Sequence, residues 1–171
     1  MEIRQLGEGD APAYRDLRLR GLREDPEAFG TTYDGEIARP LAFTVDRLRA
    51  QSASDGRFTL GAFDGALIGV VTVLREESAK MRHRASLVGM YVAPEARKHG
   101  VGRALVEAAC ARAAQVVGLE QIHLAVVTPN VAAQQLYRTM NFVTYGIEPR
   151  ALKFGDRYWD EELMVRQLRP S

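Results

Sequence analysis

Cysteine and histidine are scarce in this sequence, and their scarcity argues against two classes of protein. The 171 residues include one cysteine, Cys110, so no intramolecular disulfide can form. Cys110 lies in an alanine-rich run over 104–114, which favours a small buried hydrophobic residue over a catalytic nucleophile. The three histidines, His83, His99 and His123, lack the spacing of metal ligands. We therefore expect no disulfide framework and no bound metal.

The sequence also lacks an excess of either charge and any long apolar run. It has 23 Lys and Arg against 22 Asp and Glu, and this balance gives no reason to expect nucleic acid or a membrane as a partner. No stretch approaches the roughly 18 apolar residues of a membrane span, and residues 1–6 contain no signal-like run. The length suits one domain over 1–171, and we expect a cytoplasmic location.

The hydrophobic pattern predicts an α/β protein of the α+β type. Asp64-Gly65 separates two apolar runs and predicts a hairpin, because both residues tolerate positive φ. The charged run 75–84 is expected to be a solvated connection, and 26–40 a loop or broken helix. The predicted strands cover 2–7, 57–63, 66–74, 86–92, 122–127, 142–147 and 158–168. The predicted helices start at Asp10, Thr44, Gly102 and Asn130. This order predicts one mixed sheet covered by helices.

A turn with two glycines follows the predicted strand 86–92. It reads Arg97-Lys98-His99-Gly100-Val101-Gly102-Arg103 and leads into a helix. A helix start has unpaired N–H groups, and glycine lets a ligand approach them, so the segment can hold a pyrophosphate. A P-loop is excluded because no Gly-Lys-Ser/Thr follows, and Leu105 stands where a dinucleotide fingerprint needs its third glycine. From this segment alone, an ordinary charged turn stays open.

Two spaced motifs resemble the GNAT superfamily of N-acetyltransferases. The segment 97–102 matches its Q/R-x-x-G-x-G/A signature. The segment 130–142 resembles its N-x-x-A-x-x-L-Y-x-x-x-G-F motif, with Asn141 where glycine is usual. Asparagine tolerates the left-handed backbone expected there. The resemblance extends from Ile3 to Val165, and the segments 148–153 and 158–161 resemble a bacterial subgroup.

The resemblance implies a mixed sheet of six or seven strands with about four helices, splayed beside the strand 87–94. It also implies acetyl-CoA as the cosubstrate. The residues that match the family's cofactor site are Met90, Tyr91, Val92, Arg97, Lys98, His99, Gly100, Val101, Gly102, Arg103, Asn130 and Ala133.

The implied chemistry is direct attack of an amine on the thioester in a ternary complex. Backbone N–H groups of 90–92 are expected to stabilise the thioester oxygen. Tyr137 occupies the position of the family's general acid, although by spacing alone it also fits a core aromatic residue. Many members carry a glutamate early on the cofactor strand, but 85–90 contains no carboxylate. A water chain, or a carboxylate such as Glu36, remains open as the base.

The segment 29–36 lies where the family commonly shapes its acceptor pocket. Phe29, Tyr33 and Glu36 are the candidate acceptor contacts, and their character suits a cationic amine. An ordinary capped loop is equally compatible with this segment. We expect a small-molecule amine as acceptor, with a protein α-amine or lysine, or a non-catalytic acetyl-CoA sensor, as alternatives. The sequence leaves a homodimer open.

Overall fold

Residues 1–168, which this computed structural model describes, contain seven strands and five α-helices. The strands are β1 Glu2–Gln5, β2 Arg57–Asp64, β3 Ala66–Arg75, β4 Arg84–Val92, β5 Gln121–Val127, β6 Val143–Phe154 and β7 Arg157–Gln167. The helices are α1 Ala11–Glu24, α2 Tyr33–Ile37, α3 Leu41–Ser52, α4 Val101–Ala113 and α5 Val131–Thr139.

The strands form one sheet in the order β1-β2-β3-β4-β5-β7-β6, and β4–β5 is its parallel pair. This pair is short, because only residues 84–86 of β4 lie beside 121–123 of β5. Beyond Ser86 the two strands separate, whereas β5 stays paired with β7 over its whole length. The mixed sheet and its opening beside β4 confirm the predicted fold.

A β-bulge interrupts β4 at the opening. Val70 of β3 pairs with Tyr91, but Thr72 pairs with Val88, so β4 contains one extra residue. Gly89 has φ +60°, a left-handed conformation that side chains rarely adopt. The bulge therefore redirects the main chain of β4 where it faces the opening.

Two hydrophobic cores lie on opposite faces of the sheet. The larger packs α4 and α5 against β2 to β5 and β7, with Leu105, Ile122 and Met164 fully buried. The smaller packs α1 and α3 against the other face through residues such as Leu48 and Val70. Alternation along β3 and β4 supplies side chains to both cores.

Several predicted boundaries move. The segment 26–40 contains a 3₁₀ turn, Pro26–Ala28, and the short helix α2, which Thr32 caps by accepting a hydrogen bond from the Gly35 N–H. Helix α3 begins at Leu41, three residues before the predicted start, and α2 raises the helix count from four to five. Strand β6 continues to Phe154, well beyond the predicted end at 147.

The expectation of a fully solvated run over 75–84 is wrong at Arg75. Only 10% of its side chain is exposed, and it donates hydrogen bonds to the carbonyls of Arg82 and Val117. The aliphatic stem lies against Gly56 while the guanidinium ties the end of β3 to the loop after α4. No helix within 1–168 is long and apolar enough to cross a membrane.

Candidate active site

The opening between β4 and β5 contains a small cavity of about 100 Å³, here called the wedge cavity. Main-chain and side-chain atoms of β4 form one wall, and β5 with the start of α5 forms the other. Because β5 leaves β4 after Ser86, the main chain of Leu87 to Val92 has no strand partner on this side. Its polar groups are therefore available to a bound molecule.

Tyr137 lies at this cavity. Helix α5 is fixed at its start by the Asn130 side chain, which accepts a hydrogen bond from the Ala133 N–H, and both residues also line the cavity. The Tyr137 ring packs edge-on against Phe142, with 5.7 Å between ring centroids. Within 1–168 no hydrogen bond to its hydroxyl is found, and burial is the cause that shifts its pKa. Burial raises the pKa of Tyr137 to about 12, so the phenol keeps its proton at neutral pH.

A groove of about 360 Å³ continues from the wedge cavity and shares Met90, Val127 and Asn130 with it. Arg97 crosses this groove, donating hydrogen bonds to the Val92 carbonyl at 2.9 Å and to the Asp25 carboxylate at 2.5 Å. Tyr91 lines this groove, and its side chain donates a hydrogen bond to the Glu24 carboxylate.

The glycine turn lies at the start of α4. Gly100 is the N-cap with φ +79°, and Lys98 has φ +65°. Within the described chain, the N–H groups from Lys98 to Arg103 have no backbone acceptor. Such a run of free donors at a helix start fits a pyrophosphate. A Cβ on Gly102 would lie 3.2 Å from Met90 Cε, so this glycine also lets α4 pack closely beside the wedge cavity.

Side chains around the turn differ in what they can contact. Lys98 and His99 are exposed, and Arg103 donates to the Thr139 hydroxyl at 3.0 Å. The Val101 side chain is buried in the larger core, so only its main chain is available to a ligand. The contacts of these residues with a cofactor stay predictions.

A larger cavity of about 740 Å³, here called the acceptor cavity, adjoins the wedge cavity on the side of α1 and α3. The two share Val88, Gly89 and Ala125. Phe29 lines it and also borders a separate cavity of about 300 Å³, where Tyr33 lies. The structure thus places Phe29 and Tyr33 on cavity walls.

Glu36 requires a correction. Only 2% of the residue is exposed, and its carboxylate forms ion pairs with Arg18 at 3.1 Å and Arg39 at 3.5 Å. It lines none of the cavities described above. The structure thus places the Glu36 carboxylate beside Arg18 and Arg39 and not on a wall of these cavities, where an acceptor contact was expected. The sequence alone could not show the pairing, because Arg18 lies on another helix.

Glu161 is the site residue that sequence reasoning missed. It lines both the wedge cavity and the acceptor cavity. Burial raises its pKa, and the nearby carboxylate of Glu148 raises it further. Within β7, alternation places Glu161 on the face opposite the buried Glu162, and this period-two pattern was the available signal.

Comparison with known proteins finds one family profile and several solved acetyltransferases that are similar to this chain. The profile of the Acetyltransferase (GNAT) family matches residues 19–142. A GNAT-family acetyltransferase from Streptococcus pneumoniae is similar, with a TM-score of 0.88, 27% identity and coverage of 97% of this chain and 98% of that one. Phosphinothricin acetyltransferase from Sinorhizobium meliloti, solved with acetyl-CoA, has a TM-score of 0.83, 20% identity and coverage of 97% and 87%. The acetyltransferase yncA from Salmonella typhimurium, also solved with acetyl-CoA, has a TM-score of 0.81, 20% identity and coverage of 100% and 95%.

Proposed function

The chain belongs to the acetyltransferase (GNAT) family, whose cosubstrate is acetyl-CoA, and on that premise we propose that it acetylates the primary amine of a small molecule. The amine attacks the thioester directly in a ternary complex. The observation that carries this proposal is the opening between β4 and β5, with the protonated Tyr137 hydroxyl at its wedge cavity.

The cosubstrate fits along a continuous path. Its pyrophosphate meets the free N–H groups from Lys98 to Arg103, and the pantetheine arm follows the groove beside Met90 and Asn130. The thioester then reaches the wedge cavity. Each stage uses main-chain groups that the fold leaves unpaired, which supports binding of an extended polar ligand.

Two groups of the chain act on the thioester. Main-chain N–H groups of 90–92 stabilise the oxygen as it gains negative charge. Tyr137 donates its proton to the leaving sulfur, a role in which general acids contribute about 10²–10⁴-fold. Its raised pKa, about 12, supports the acid role because the proton is present throughout the neutral range.

The size of the acceptor cavity supports a small-molecule acceptor. The acceptor cavity of about 740 Å³ falls within the range of roughly 300–1,000 Å³ typical of small-ligand pockets. It reaches the wedge cavity through the bulge at Gly89. An amine entering it can approach the thioester from the side opposite the groove.

The test is release of free thiol from acetyl-CoA across small amines, peptides with free α-amines and lysine-containing peptides. Turnover with small amines is the expected result. Turnover with peptides alone would transfer the assignment to protein acetylation. Calorimetric binding of acetyl-CoA without turnover on any acceptor would instead indicate a sensor.

A further inference from the structure

The acceptor cavity contains a guanidinium without an anionic partner. Arg47, on α3, lines the cavity, and its Nε and Nη2 atoms are shielded from solvent without a hydrogen bond to any residue of 1–168. Its guanidinium lies 5.1 Å from the Tyr14 ring centroid and 5.9 Å from that of Phe43. Buried donors without acceptors are costly, so this position favours an anion from outside the chain.

The same cavity contains a carboxylate without a cationic partner. Glu161 forms no hydrogen bond or ion pair through its side chain with the residues the structure describes. It stands where the acceptor cavity meets the wedge cavity that Tyr137 lines. A cationic amine bound there would be held beside the reacting thioester.

The other charges of the acceptor cavity are already matched. Arg57 is paired with Glu77 at 3.1 Å. Arg18 is paired with Glu36. It lies beside the bulge, because a Cβ added to Gly89 would be 3.6 Å from Arg18 Nη1. Among residues 1–168, Arg47 and Glu161 are therefore the charged side chains of this cavity that have no ion-pair partner.

We propose that the acceptor is an amine that also carries a carboxylate, with its carboxylate at Arg47 and its amine at Glu161, which serves as the general base. This inference rests on the proposed function and supplies its acceptor class and its base. A zwitterion places opposite charges on the two unmatched groups, whereas a simple amine leaves Arg47 unsatisfied.

The protons balance in this scheme. Glu161 accepts the first proton of the ammonium and passes it to solvent. The nitrogen attacks the thioester carbon, the C–S bond breaks, and the nitrogen loses a second proton as the amide forms. Tyr137 protonates the sulfur and is reprotonated by that second proton. The products are the N-acetylated amino acid and coenzyme A with a free thiol.

The first experiment compares matched acceptors with the wild-type protein. A panel of amino acids, in which one or more carbons separate the amine from the carboxylate, is assayed, each beside the amine that lacks its carboxylate and beside its aminophosphonic acid. We expect kcat/KM for the best amino acid to exceed that of its decarboxylated amine by about 10–100-fold, as for loss of a charge-assisted contact. A preference for the aminophosphonic acid would indicate that Arg47 binds a phosphonate-type anion. It would overturn the proposal that the acceptor carries a carboxylate.

The second experiment uses variants. Arg47→Met keeps the apolar stem against Tyr14 and removes the charge, so KM for the amino acid should rise about 10–100-fold with little change for the decarboxylated amine. Arg49→Met is the control on the same helix, because Arg49 is exposed and paired with Glu8 and Asp46. The kcat/KM of Arg49→Met should match that of the wild type. Equal losses for both acceptors in Arg47→Met would overturn the anion site.

The third experiment addresses the base. Glu161→Gln should lower kcat about 10²–10⁴-fold. Glu148→Gln removes a like charge that raises the Glu161 pKa, so the acidic limb of the kcat/KM profile should move to lower pH. Glu148→Gln does not alter the other ionisable groups that line the cavities beside Glu161. These groups are Arg18, Glu27, Arg47, Arg57, Glu77 and Tyr137.

Failure of this inference differs from failure of the proposed function. This inference would fail if decarboxylated amines were turned over efficiently, Glu161→Gln were fully active and the acidic limb of Glu148→Gln did not move. The protein would then still be an acetyltransferase, but with another acceptor class and another base. Binding of acetyl-CoA without thiol release on any amine would instead overturn the proposed function, and the acceptor class with it.

Discussion

Replacing Tyr137 by phenylalanine removes one oxygen at the wedge cavity and little else. The hydroxyl makes no hydrogen bond within the described chain, and the ring keeps its edge-on contact with Phe142. No buried partner is left unsatisfied by the change. We therefore expect the free energy of unfolding to change by less than about 1 kcal/mol, the typical worth of one hydrogen bond.

The rate of chemistry should respond much more strongly. If the phenol protonates the leaving sulfur, Tyr137→Phe should lower kcat by about 10²–10⁴-fold, or about 3–5 kcal/mol in activation free energy. Affinity for acetyl-CoA should stay close to that of the wild type. In the proposed binding mode, the main chain of 98–103 and the groove hold the cofactor, and the substitution changes neither.

The assay is a single turnover of enzyme, acetyl-CoA and a verified acceptor, measured by rapid quench, because slow product release could otherwise hide the chemical step. Tyr145→Phe is the matched control, since Tyr145 is exposed on β6 and lies outside the cavities of the site. An unchanged single-turnover rate in Tyr137→Phe would refute the general-acid role. Main-chain polarisation and positioning would then account for catalysis.

Three further predictions concern the turn, the fold and the pH profile. Gly100→Val should weaken coenzyme A binding about tenfold or more by calorimetry, because a Cβ strains the left-handed N-cap. Gly155→Val is the control and should leave this binding unchanged, because Gly155, at φ +58°, lies in an open turn. Arg75→Ala should destabilise the protein by about 2–4 kcal/mol in chemical denaturation, whereas exposed Arg82→Ala should stay within about 0.5 kcal/mol. Because its pKa is raised to about 12, Tyr137 should cause no loss of kcat between pH 7 and about 10, and a basic limb in this range that disappears in Tyr137→Phe would contradict the raised pKa.

Local backbone features of the fold were predictable from the sequence. Asn141 adopts φ +63° and Gly118 φ +75°, so both residues take the left-handed conformation expected after a helix. The hairpin turns at Gly65, with φ +74°. These features depend on a few neighbouring residues, and short sequence motifs encode them directly.

Features that depend on distant contacts were not predictable. Arg75 reads as part of a charged run, yet its side chain is mostly buried and donates a hydrogen bond to the carbonyl of Val117, in the loop after α4. Glu36 reads as an acidic loop residue, but Arg18 on another helix pairs with it. Glu161 reaches the wedge cavity only because β7 inserts between β5 and β6, an order that the chain sequence does not reveal.

The central claim is that the acetyl group passes directly from acetyl-CoA to the amine beside Tyr137. Rapid quench with isotopically labelled acetyl-CoA, followed by intact-mass measurement of the protein and analysis of the amine, tests it most directly. We predict that the label appears in the N-acetylated product while the protein mass stays unchanged at every time point. Cys110 is buried and burial raises its thiol pKa, which disfavours it as a nucleophile. A labelled protein that forms and decays at the rate of turnover would contradict the account.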